Sequence, residues 1–272
     1  MKISSEILTY YERSAERDRL LFDVFQLEFV RTKEVIDRWL RQPPAVILDV
    51  GGGPGRYSSW LAERGYEVHL LDAVPGLVEQ ARQLDHANER SIASFTVGDG
   101  RELKREDQSV NAVLLLGPLY HLIEAADRRR ALTEAYRVLA PGGVLFAAAI
   151  SRFASALDGL ARDLFGDPAF GNIVERDLAE GVHINVTEKL EYFTTAQFHR
   201  PEELEAEIAA AGFSILETIG VEGPGWLFAD FEQRWHDPRR RDDLLRIARA
   251  VEREQSIRGV SAHLMTVARR PQ

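Results

Sequence analysis

The stretch from residue 46 to residue 55 constrains this chain most, because a short apolar segment runs directly into a glycine-rich turn. Val46–Val50 has the composition of a buried strand, and residues 51–55 read Gly-Gly-Gly-Pro-Gly. A helix is predicted from residue 56 to about residue 64. A strand, a glycine turn and a helix in this order present bare backbone N–H groups to a polar ligand, and side chains in the turn would hold that ligand away. The sequence therefore predicts a ligand site at the carboxyl edge of a parallel sheet.

Composition limits the function classes that are open to the chain. The 272 residues carry a formal net charge of -9, which disfavours nucleic acid as a partner because phosphate binding needs a basic surface. Cysteine is absent, which excludes disulfides, thiolate metal sites and iron–sulfur clusters. No carboxylate or histidine cluster has ligand spacing, so no metal is expected. The sequence has neither a secretory signal nor an apolar run of membrane-spanning length, so we expect a cytoplasmic protein without a membrane partner.

Strand and helix patterns alternate between residues 45 and 150. Repeated strand–helix–strand units imply an α/β fold with a doubly wound, mostly parallel sheet. After residue 150 the alternation breaks, and two strands near the C-terminus, separated by a long connection, predict a closing antiparallel pair. The predicted strands are Val46–Val50, Glu67–Leu71, Ser94–Val97, Val110–Leu116, Val144–Ile150, Phe213–Val221 and Ala262–Ala268.

Two common ligands use a glycine turn after the first strand, a dinucleotide and S-adenosylmethionine. The dinucleotide pattern Gly-x-Gly-x-x-Gly fits in neither register, because its third glycine falls on Arg56 when counted from Gly51 and on Ser58 when counted from Gly53. S-adenosylmethionine has no pyrophosphate, so its turn need not form a full phosphate cradle. An NAD(P)-dependent oxidoreductase on a related doubly wound sheet is the second interpretation. A catalytically silent module that binds the cofactor and a partner is the third.

Four segments in the right order resemble the motifs of class I S-adenosylmethionine-dependent methyltransferases of the small-molecule, methyltransferase-11-like type. Asp49–Tyr57 resembles their first motif, and Glu67–Asp72 resembles the strand whose terminal acid holds the two ribose hydroxyls. Gly98–Arg101 resembles the adenine-binding motif, and Arg137–Gly143 resembles the segment that leads into the fifth strand. The resemblance implies a seven-stranded Rossmann-like sheet whose last strand is antiparallel.

The resemblance also divides the chain into functional parts. Residues 1–44, which read as helical from residue 4 to about residue 41, are expected to form an N-terminal lid. Residues 45–150 and 198–272 are expected to form the S-adenosylmethionine-binding core, with a helical insertion at 222–258. Residues 151–197, which are punctuated by glycines, are expected to form a cap that binds the acceptor.

The matched motifs imply which residues bind the cofactor, S-adenosyl-L-methionine. The acid that ends the second strand is assigned to the ribose, the acid after the third strand to the adenine, and the loop after the fourth strand to the methionine moiety. Two residues of the lid are assigned to the methionine end. The expected binding residues are Asp49, Gly51, Gly52, Gly53, Gly55, Asp72, Ala73, Asp99, Gly100, Leu116, Gly117, Tyr11 and Arg31.

His121 is the best acid–base candidate, because it titrates near neutral pH and follows the fourth strand at the reactive edge. Tyr120 is expected beside it in the acceptor pocket, although both residues also fit a structural role. Residues 116–119 read Leu-Gly-Pro-Leu and lack the polar group found in enzymes that methylate nucleic acid bases. We therefore expect in-line methyl transfer to an oxygen or nitrogen atom of a small molecule or short peptide, with alignment and exclusion of water as the main contributions.

Overall fold

The computed structural model describes residues 5–13, 16–86, 91–187 and 189–272. Residues 1–4, 14 and 15 of the predicted lid and residue 188 of the predicted cap lie outside these ranges. The strands are β1 (Val46–Val50), β2 (Glu67–Asp72), β3 (Ser94–Val97), β4 (Val110–Leu115), β5 (Leu139–Ser151), β6 (Val182–His183), β7 (Ala196–His199), β8 (Ser214–Gly220) and β9 (His263–Arg269). The helices are α1 (Ser5–Arg13), α2 (Phe25–Trp39), α3 (Arg56–Glu63), α4 (Pro75–Asp85), α5 (Pro118–His121), α6 (Ala125–Val138), α7 (Ala154–Ala161), α8 (Pro168–Glu180), α9 (Pro201–Ala210), α10 (Phe231–His236) and α11 (Pro238–Val251).

The predicted doubly wound sheet is present in the described chain, with strands in the order β3-β2-β1-β4-β5-β9-β8. β9 runs antiparallel to both β5 and β8, as the closing pair was predicted to do. In the middle of the sheet, Asp49 of β1 lies beside Leu70 of β2 and Leu114 of β4. The α/β class is confirmed, and the parallel strands place their carboxyl ends along one edge.

The described sheet has nine strands rather than the predicted seven, because β6 and β7 form an additional antiparallel hairpin. Phe198 of β7 pairs with Ile150 near the end of β5, beyond the part of β5 that pairs with β4. β6 spans two residues, which is too short to show the period-2 pattern by which strands are found in a sequence. The hairpin therefore adds a wall at the carboxyl edge that the sequence analysis assigned to an irregular cap.

Apolar side chains cover both faces of the sheet, because successive residues of a strand point to opposite faces. On β1, Ile47 packs into a layer with α2, α3 and α4. Its neighbour Leu48 packs into the opposite layer with α6 and α9. The two layers cover the faces of the sheet, which leaves the ends of the strands for polar residues.

The N-terminal segment is tied to the helices that follow β8. Leu27 of α2 packs with Phe231 and Trp235 of α10 in a separate apolar cluster. This contact holds α2 against the C-terminal half of the chain. None of the helices in the described ranges combines the length and the apolar character needed to cross a membrane.

Candidate active site

The carboxyl ends of β1 to β4 open into a cavity of about 970 Å³. Its lining combines the glycine turn after β1, the residues that follow the next three strands, and side chains from α1, α2 and the loop before β7. The structure thus brings most of the predicted site residues to one place. Those that line the cavity are Asp49, Gly51, Gly52, Gly53, Asp72, Ala73, Asp99, Gly100, Leu116, Gly117, Tyr11, Tyr120 and His121.

The turn after β1 needs glycine for two separate reasons. Gly51 and Gly53 have φ angles of +73° and +55°, a region that side chains disfavour. The Gly51 N–H donates to the Leu71 carbonyl at 2.7 Å, and this contact pins the turn to the end of β2. A Cβ atom at Gly51 would lie 2.5 Å from Cγ of Pro118. The turn therefore runs in close contact with the loop after β4.

Asp72 ends β2 with its carboxylate held by backbone donors on both sides. The Gly53 N–H donates to Oδ2 and the Val74 N–H donates to Oδ1, each at 2.8 Å. The side chain is buried, yet the residue lines the cavity. Two backbone hydrogen bonds fix the orientation of the carboxylate and link it to the glycine turn.

Asp49 lies beneath the same turn. Its Oδ2 accepts a hydrogen bond from Oγ of Ser58 at 2.7 Å, and a Cβ atom at Gly52 would lie 2.9 Å from that oxygen. Desolvation by burial raises the pKa of Asp49 to about 7, the Ser58 hydrogen bond opposes this, and the charge of Asp72 adds to it. Asp49 thus supports the turn from below.

Asp99 follows β3 and is paired with Arg101, a residue that the sequence analysis did not assign to the site. Nη2 of Arg101 lies 2.6 Å from Oδ2 of Asp99, and Nη1 lies 2.6 Å from Oδ2 of Asp127. Burial raises the pKa of the Asp99 carboxyl, but the hydrogen bonds and charge of Arg101 outweigh burial and lower that pKa below its usual value. The acid at this wall of the cavity is therefore held ionised.

His121, in the short helix α5, contacts the N-terminal segment. The Tyr11 hydroxyl lies 2.5 Å from Nε2 of His121, and the ring centroids of Tyr120 and Phe193 lie 4.7 Å and 5.9 Å from that of His121. Burial lowers the pKa of His121 to about 4, and a backbone hydrogen bond with Thr195 opposes that effect. The imidazole is therefore neutral at pH 7, and its Nε2 shares a hydrogen bond with the Tyr11 hydroxyl.

A second polar group lines the cavity at the same edge, and it consists of Glu28, Glu222 and His263. Glu222 follows β8 and His263 begins β9, so the antiparallel pairing of these strands brings the two residues together. Nδ1 of His263 lies 2.6 Å from Oε1 of Glu222 and 3.9 Å from Oε2 of Glu28. Arg19 binds Glu28 from the other side at 2.8 Å.

The charges in this group set the protonation of His263. Desolvation lowers the pKa of the imidazole, but the charges of Glu28 and Glu222 outweigh desolvation and raise the pKa to about 8, with Arg19 acting in the opposite sense. This group was not predicted from the sequence. A signal was present for two of its members, because Glu222 directly follows the first predicted closing strand and His263 is the second residue of the other, whereas Glu28 lies within a helix and carries none.

Comparison with known proteins identifies the family. The family described as "Methyltransferase domain" matches residues 47–143, which run from β1 into β5. A demethylmenaquinone methyltransferase from Thermus thermophilus is 31% identical over 197 residues, which are 70% of this chain and 84% of that protein. The chain belongs to the S-adenosylmethionine-dependent methyltransferases. Membership in this family replaces the interpretation of the chain as a nicotinamide-dependent oxidoreductase.

Two further matches agree with the methyltransferase assignment. A ubiquinone biosynthesis O-methyltransferase from Azorhizobium caulinodans is 30% identical over 180 residues, which are 64% of this chain and 61% of that protein. The crystal structure of an S-adenosylmethionine-dependent methyltransferase from Mesorhizobium loti matches with a TM-score of 0.59 at 18% identity, and the match covers 90% of this chain and all of that one. At this identity the structural match shows a shared fold.

Arg31 of the methyltransferase lies away from the cavity lining, unlike the sequence expectation that it contacts the cofactor. The side chain is fully buried on α2, where it forms ion pairs with Glu34 and Glu252 and donates from Nε to the Val221 carbonyl at 3.3 Å. The two carboxylates and the carbonyl are thus the partners of the guanidinium. Arg31 therefore ties α2 to the C-terminal helices.

Gly55 is the second predicted cofactor residue that lies outside the lining. Its φ of +83° places it at the start of α3, and a Cβ atom there would lie 3.2 Å from Cβ of Ala81 and 3.3 Å from Cδ1 of Leu70. The residue faces the apolar layer between the sheet and α4. Gly55 therefore shapes the end of the turn from the core side.

Proposed function

We propose that this methyltransferase transfers a methyl group to an oxygen or nitrogen atom of a small molecule, or of a short peptide, held beside the cofactor. The cavity is the observation that carries this proposal. Its volume of about 970 Å³ lies at the upper end of the roughly 300–1,000 Å³ that is usual for small-molecule sites. One cavity that includes both the glycine turn and an aromatic wall offers room for cofactor and acceptor side by side.

The residues present fit S-adenosyl-L-methionine. Asp72, oriented by two backbone N–H groups, is proposed to bind the ribose hydroxyls, and Asp99 with Gly100 is proposed to bind the adenine. A Cβ atom at Gly100 would lie 3.0 Å from Cγ1 of Val50, so this loop also runs close to β1. When bound, the cofactor supplies a methyl group on a positively charged sulfur. Further proposed contacts are Asp49, Gly51, Gly52, Gly53, Ala73, Leu116, Gly117 and Tyr11.

Aromatic side chains form much of the remaining wall and support a flat acceptor. The ring centroids of Tyr10 and Phe193 lie 5.3 Å apart, and those of Tyr120 and Phe193 lie 6.4 Å apart. Trp226 and Phe228 line the cavity from the segment after β8. Rings arranged in this way bind other rings through stacked and edge contacts. The two named relatives, a demethylmenaquinone methyltransferase and a ubiquinone biosynthesis O-methyltransferase, also favour a ring-containing acceptor.

We assign residues 1–44 to a lid and residues 151–197 to a cap, with 45–150 and 198–272 as the cofactor-binding core. Glu6 of α1 accepts a hydrogen bond from Oγ1 of Thr195 at 2.7 Å. The Tyr10 ring contacts Phe193 next to this bond. Lid and cap thus meet each other over the cavity, where their closure excludes water from methyl transfer.

His121 and Tyr120 are proposed to contact the acceptor. Both line the cavity, and the hydrogen bond with Tyr11 orients the imidazole of His121. The leaving group of methyl transfer is a neutral thioether that needs no protonation. The contribution of these side chains is therefore to align the acceptor atom with the methyl group, which is the main source of rate in such a reaction.

Transfer of a labelled methyl group from S-adenosylmethionine to a panel of acceptors tests the proposal. The panel holds phenols, hydroquinones, aromatic amines and short peptides with lysine or tyrosine. We expect labelling of a ring-containing compound and a KM about tenfold higher in Phe193→Ala, which removes an aromatic wall. Phe22→Ala is the matched control, because Phe22 is 65% exposed. A protein that binds S-adenosylhomocysteine yet labels no acceptor would contradict the proposal and favour a silent binding module.

A further inference from the structure

The Glu222 carboxylate is held by several hydrogen bonds, although Glu222 has no proposed role in binding the cofactor. Its Oε2 accepts from the Ser261 hydroxyl at 2.5 Å and from the His263 backbone N–H at 3.0 Å. Its own N–H donates to Oγ of Ser261 at 2.8 Å. Both carboxylate oxygens therefore accept hydrogen bonds, since Oε1 accepts from the imidazole of His263. The group is built to hold that ring in one orientation.

These contacts decide which edge of the His263 ring faces the cavity. A carboxylate only accepts hydrogen bonds, so Nδ1 carries the hydrogen toward Glu222 and the lone pair of the neutral ring lies on Nε2. The side chain of His263 is 18% exposed and that of Glu222 is 2% exposed, and both residues line the cavity. The edge with Nε2 is therefore the part of the pair that is left to meet a ligand.

We propose that His263 is a general base of this methyltransferase, with Glu222 as its positioning residue. The inference rests on the function proposed above and narrows the acceptor to a hydroxyl compound such as a phenol or a hydroquinone. Nε2 takes the hydroxyl proton while the acceptor oxygen forms a bond to the methyl carbon. The bond from that carbon to sulfur breaks, and its electron pair stays on sulfur. The products are a methyl ether, a neutral thioether and an imidazolium that returns its proton to water.

The surrounding charges suit a base that works near neutral pH. The charges of Glu28 from α2 and of Glu222 act on the ring, and Arg19 is paired with Glu28. The charges of these three residues also act on the Tyr57 phenol of α3. General bases are most effective when their pKa lies near the operating pH. The pKa of His263 is raised to about 8, whereas burial lowers that of His121 to about 4. His263 is therefore the stronger base of the two.

The side chains of Glu28, Glu222 and His263 also bring together oxygen and nitrogen atoms of the kind that coordinate divalent cations. Within the described residues, one atom of each of Glu28, Glu222 and His263 lies within 4.8 Å of the others. Their contacts favour proton transfer over metal binding. The Arg19 guanidinium is paired with Glu28, and Glu222 accepts hydrogen bonds from O–H and N–H donors. A cation would have to displace these donors. A metal requirement is thus one outcome that would overturn the proposal.

The pH dependence of kcat with a saturating phenolic acceptor tests the assignment. In the wild type, log kcat is expected to rise with pH and to level off above about pH 8. His263→Gln is expected to lower kcat about 100-fold or more, the usual contribution of a general base. Glu222→Gln is expected to move the midpoint to lower pH, because the ring loses a charge that raises its pKa. His121→Gln is expected to leave the midpoint in place.

Two further measurements keep the test decisive. Melting temperature and affinity for S-adenosylhomocysteine, taken on every variant, separate a lost base from a lost fold. An NMR titration of the ring signal that disappears in His263→Gln reports the pKa without turnover, and this pKa is expected near 8 in the wild type and lower in Glu222→Gln.

Several results would overturn the proposal. They are a folded His263→Gln enzyme within about threefold of the wild-type kcat, an unchanged midpoint in Glu222→Gln, and activity that EDTA abolishes and Mg²⁺ restores. Methyl transfer by the wild type only to nitrogen acceptors would also overturn it, while leaving the proposed function in place. A folded wild type that does not bind S-adenosylhomocysteine would contradict the proposed function itself.

Discussion

The hydroxyl of Tyr11 lies 2.5 Å from Nε2 of His121, although 110 positions separate the two residues in sequence. The hydrogen bond joins α1 to the loop after β4 at the lining of the cavity. Next to it, the rings of Tyr10 and Tyr11 meet at a centroid distance of 5.3 Å. The position of the N-terminal helix is therefore coupled to the side chain that was predicted to contact the acceptor.

Replacement of Tyr11 by Phe tests this coupling, because the ring stays and the hydroxyl is lost. We expect the free energy of unfolding in urea to fall by about 0.5–1.5 kcal/mol, and KM for the acceptor to rise because α1 is held less firmly. Tyr66→Phe is the matched control, since the Tyr66 hydroxyl donates to the Arg41 carbonyl at 2.9 Å outside the cavity lining. The same KM in both variants would argue against a lid formed by α1.

The raised pKa of Asp49 makes stability depend on pH. Between an unfolded pKa near 3.8 and a folded pKa of about 7, the native state binds a proton that the unfolded state has released. The free energy of unfolding therefore decreases as pH rises through this window. We expect Asp49→Asn to gain stability relative to the wild type between pH 4 and pH 8, measured by urea unfolding.

Asp242→Asn, an exposed change on α11, is the control for Asp49→Asn and should keep the pH dependence of the wild type. A difference between Asp49→Asn and the wild type that stays constant across the pH range would show that Asp49 does not titrate there.

Gly51→Ala places a methyl group where the structure has no room for one. The positive φ of +73° and the approach of Pro118 to 2.5 Å are together expected to cost about 2–4 kcal/mol of folding free energy. Gly171→Ala on α8 is the opposite case, because a Cβ atom there has no heavy atom within 4 Å. That change is expected to stabilise the protein by about 0.5–1 kcal/mol. Chemical unfolding that shows equal effects for the two changes would contradict the geometry of the turn.

Arg31→Met removes a fully buried cation, while Glu252 keeps its ion pair with Arg38 at 2.9 Å. We expect the free energy of unfolding to fall by about 1.5–3 kcal/mol, the usual loss for a hydrogen bond to a charged group, with the affinity for S-adenosylhomocysteine unchanged in the folded protein. Arg239→Met is the exposed control, because the side chain of Arg239 is 78% exposed in its pair with Asp243. Weaker cofactor binding by folded Arg31→Met would restore the cofactor role predicted from the sequence.

The central sheet and the cofactor motif could be predicted because their signals are local. β1 and β4 are short apolar runs of the kind that a sheet buried on both faces requires, and Asp72 ends a strand next to the glycine turn in space. The β6–β7 hairpin could not be predicted in this way. β6 spans two residues, and its pairing depends on β7, thirteen positions further on.

The misplaced and missed residues depend on contacts that are distant in sequence. Arg31 lies between Leu27 and Val35 on the buried face of α2, and its partner Glu252 is 221 positions away. Because this ion pair is not visible in the sequence, the sequence predicts that Arg31 of the lid binds the cofactor. The pair of Glu222 with His263 spans 41 positions. The two residues meet because the end of β8 pairs with the start of β9, and this pairing is visible only in the folded sheet.

Calorimetric titration with S-adenosylhomocysteine tests most directly the claim that Asp72 and the glycine turn hold the cofactor. We expect saturable binding to the wild type, binding weaker by about tenfold or more in Asp72→Asn because a hydrogen bond to a charged group is lost, and wild-type affinity in Asp242→Asn. Melting temperatures of all three proteins confirm that each is folded. A folded wild type without binding, or equal affinity in Asp72→Asn, would contradict the account.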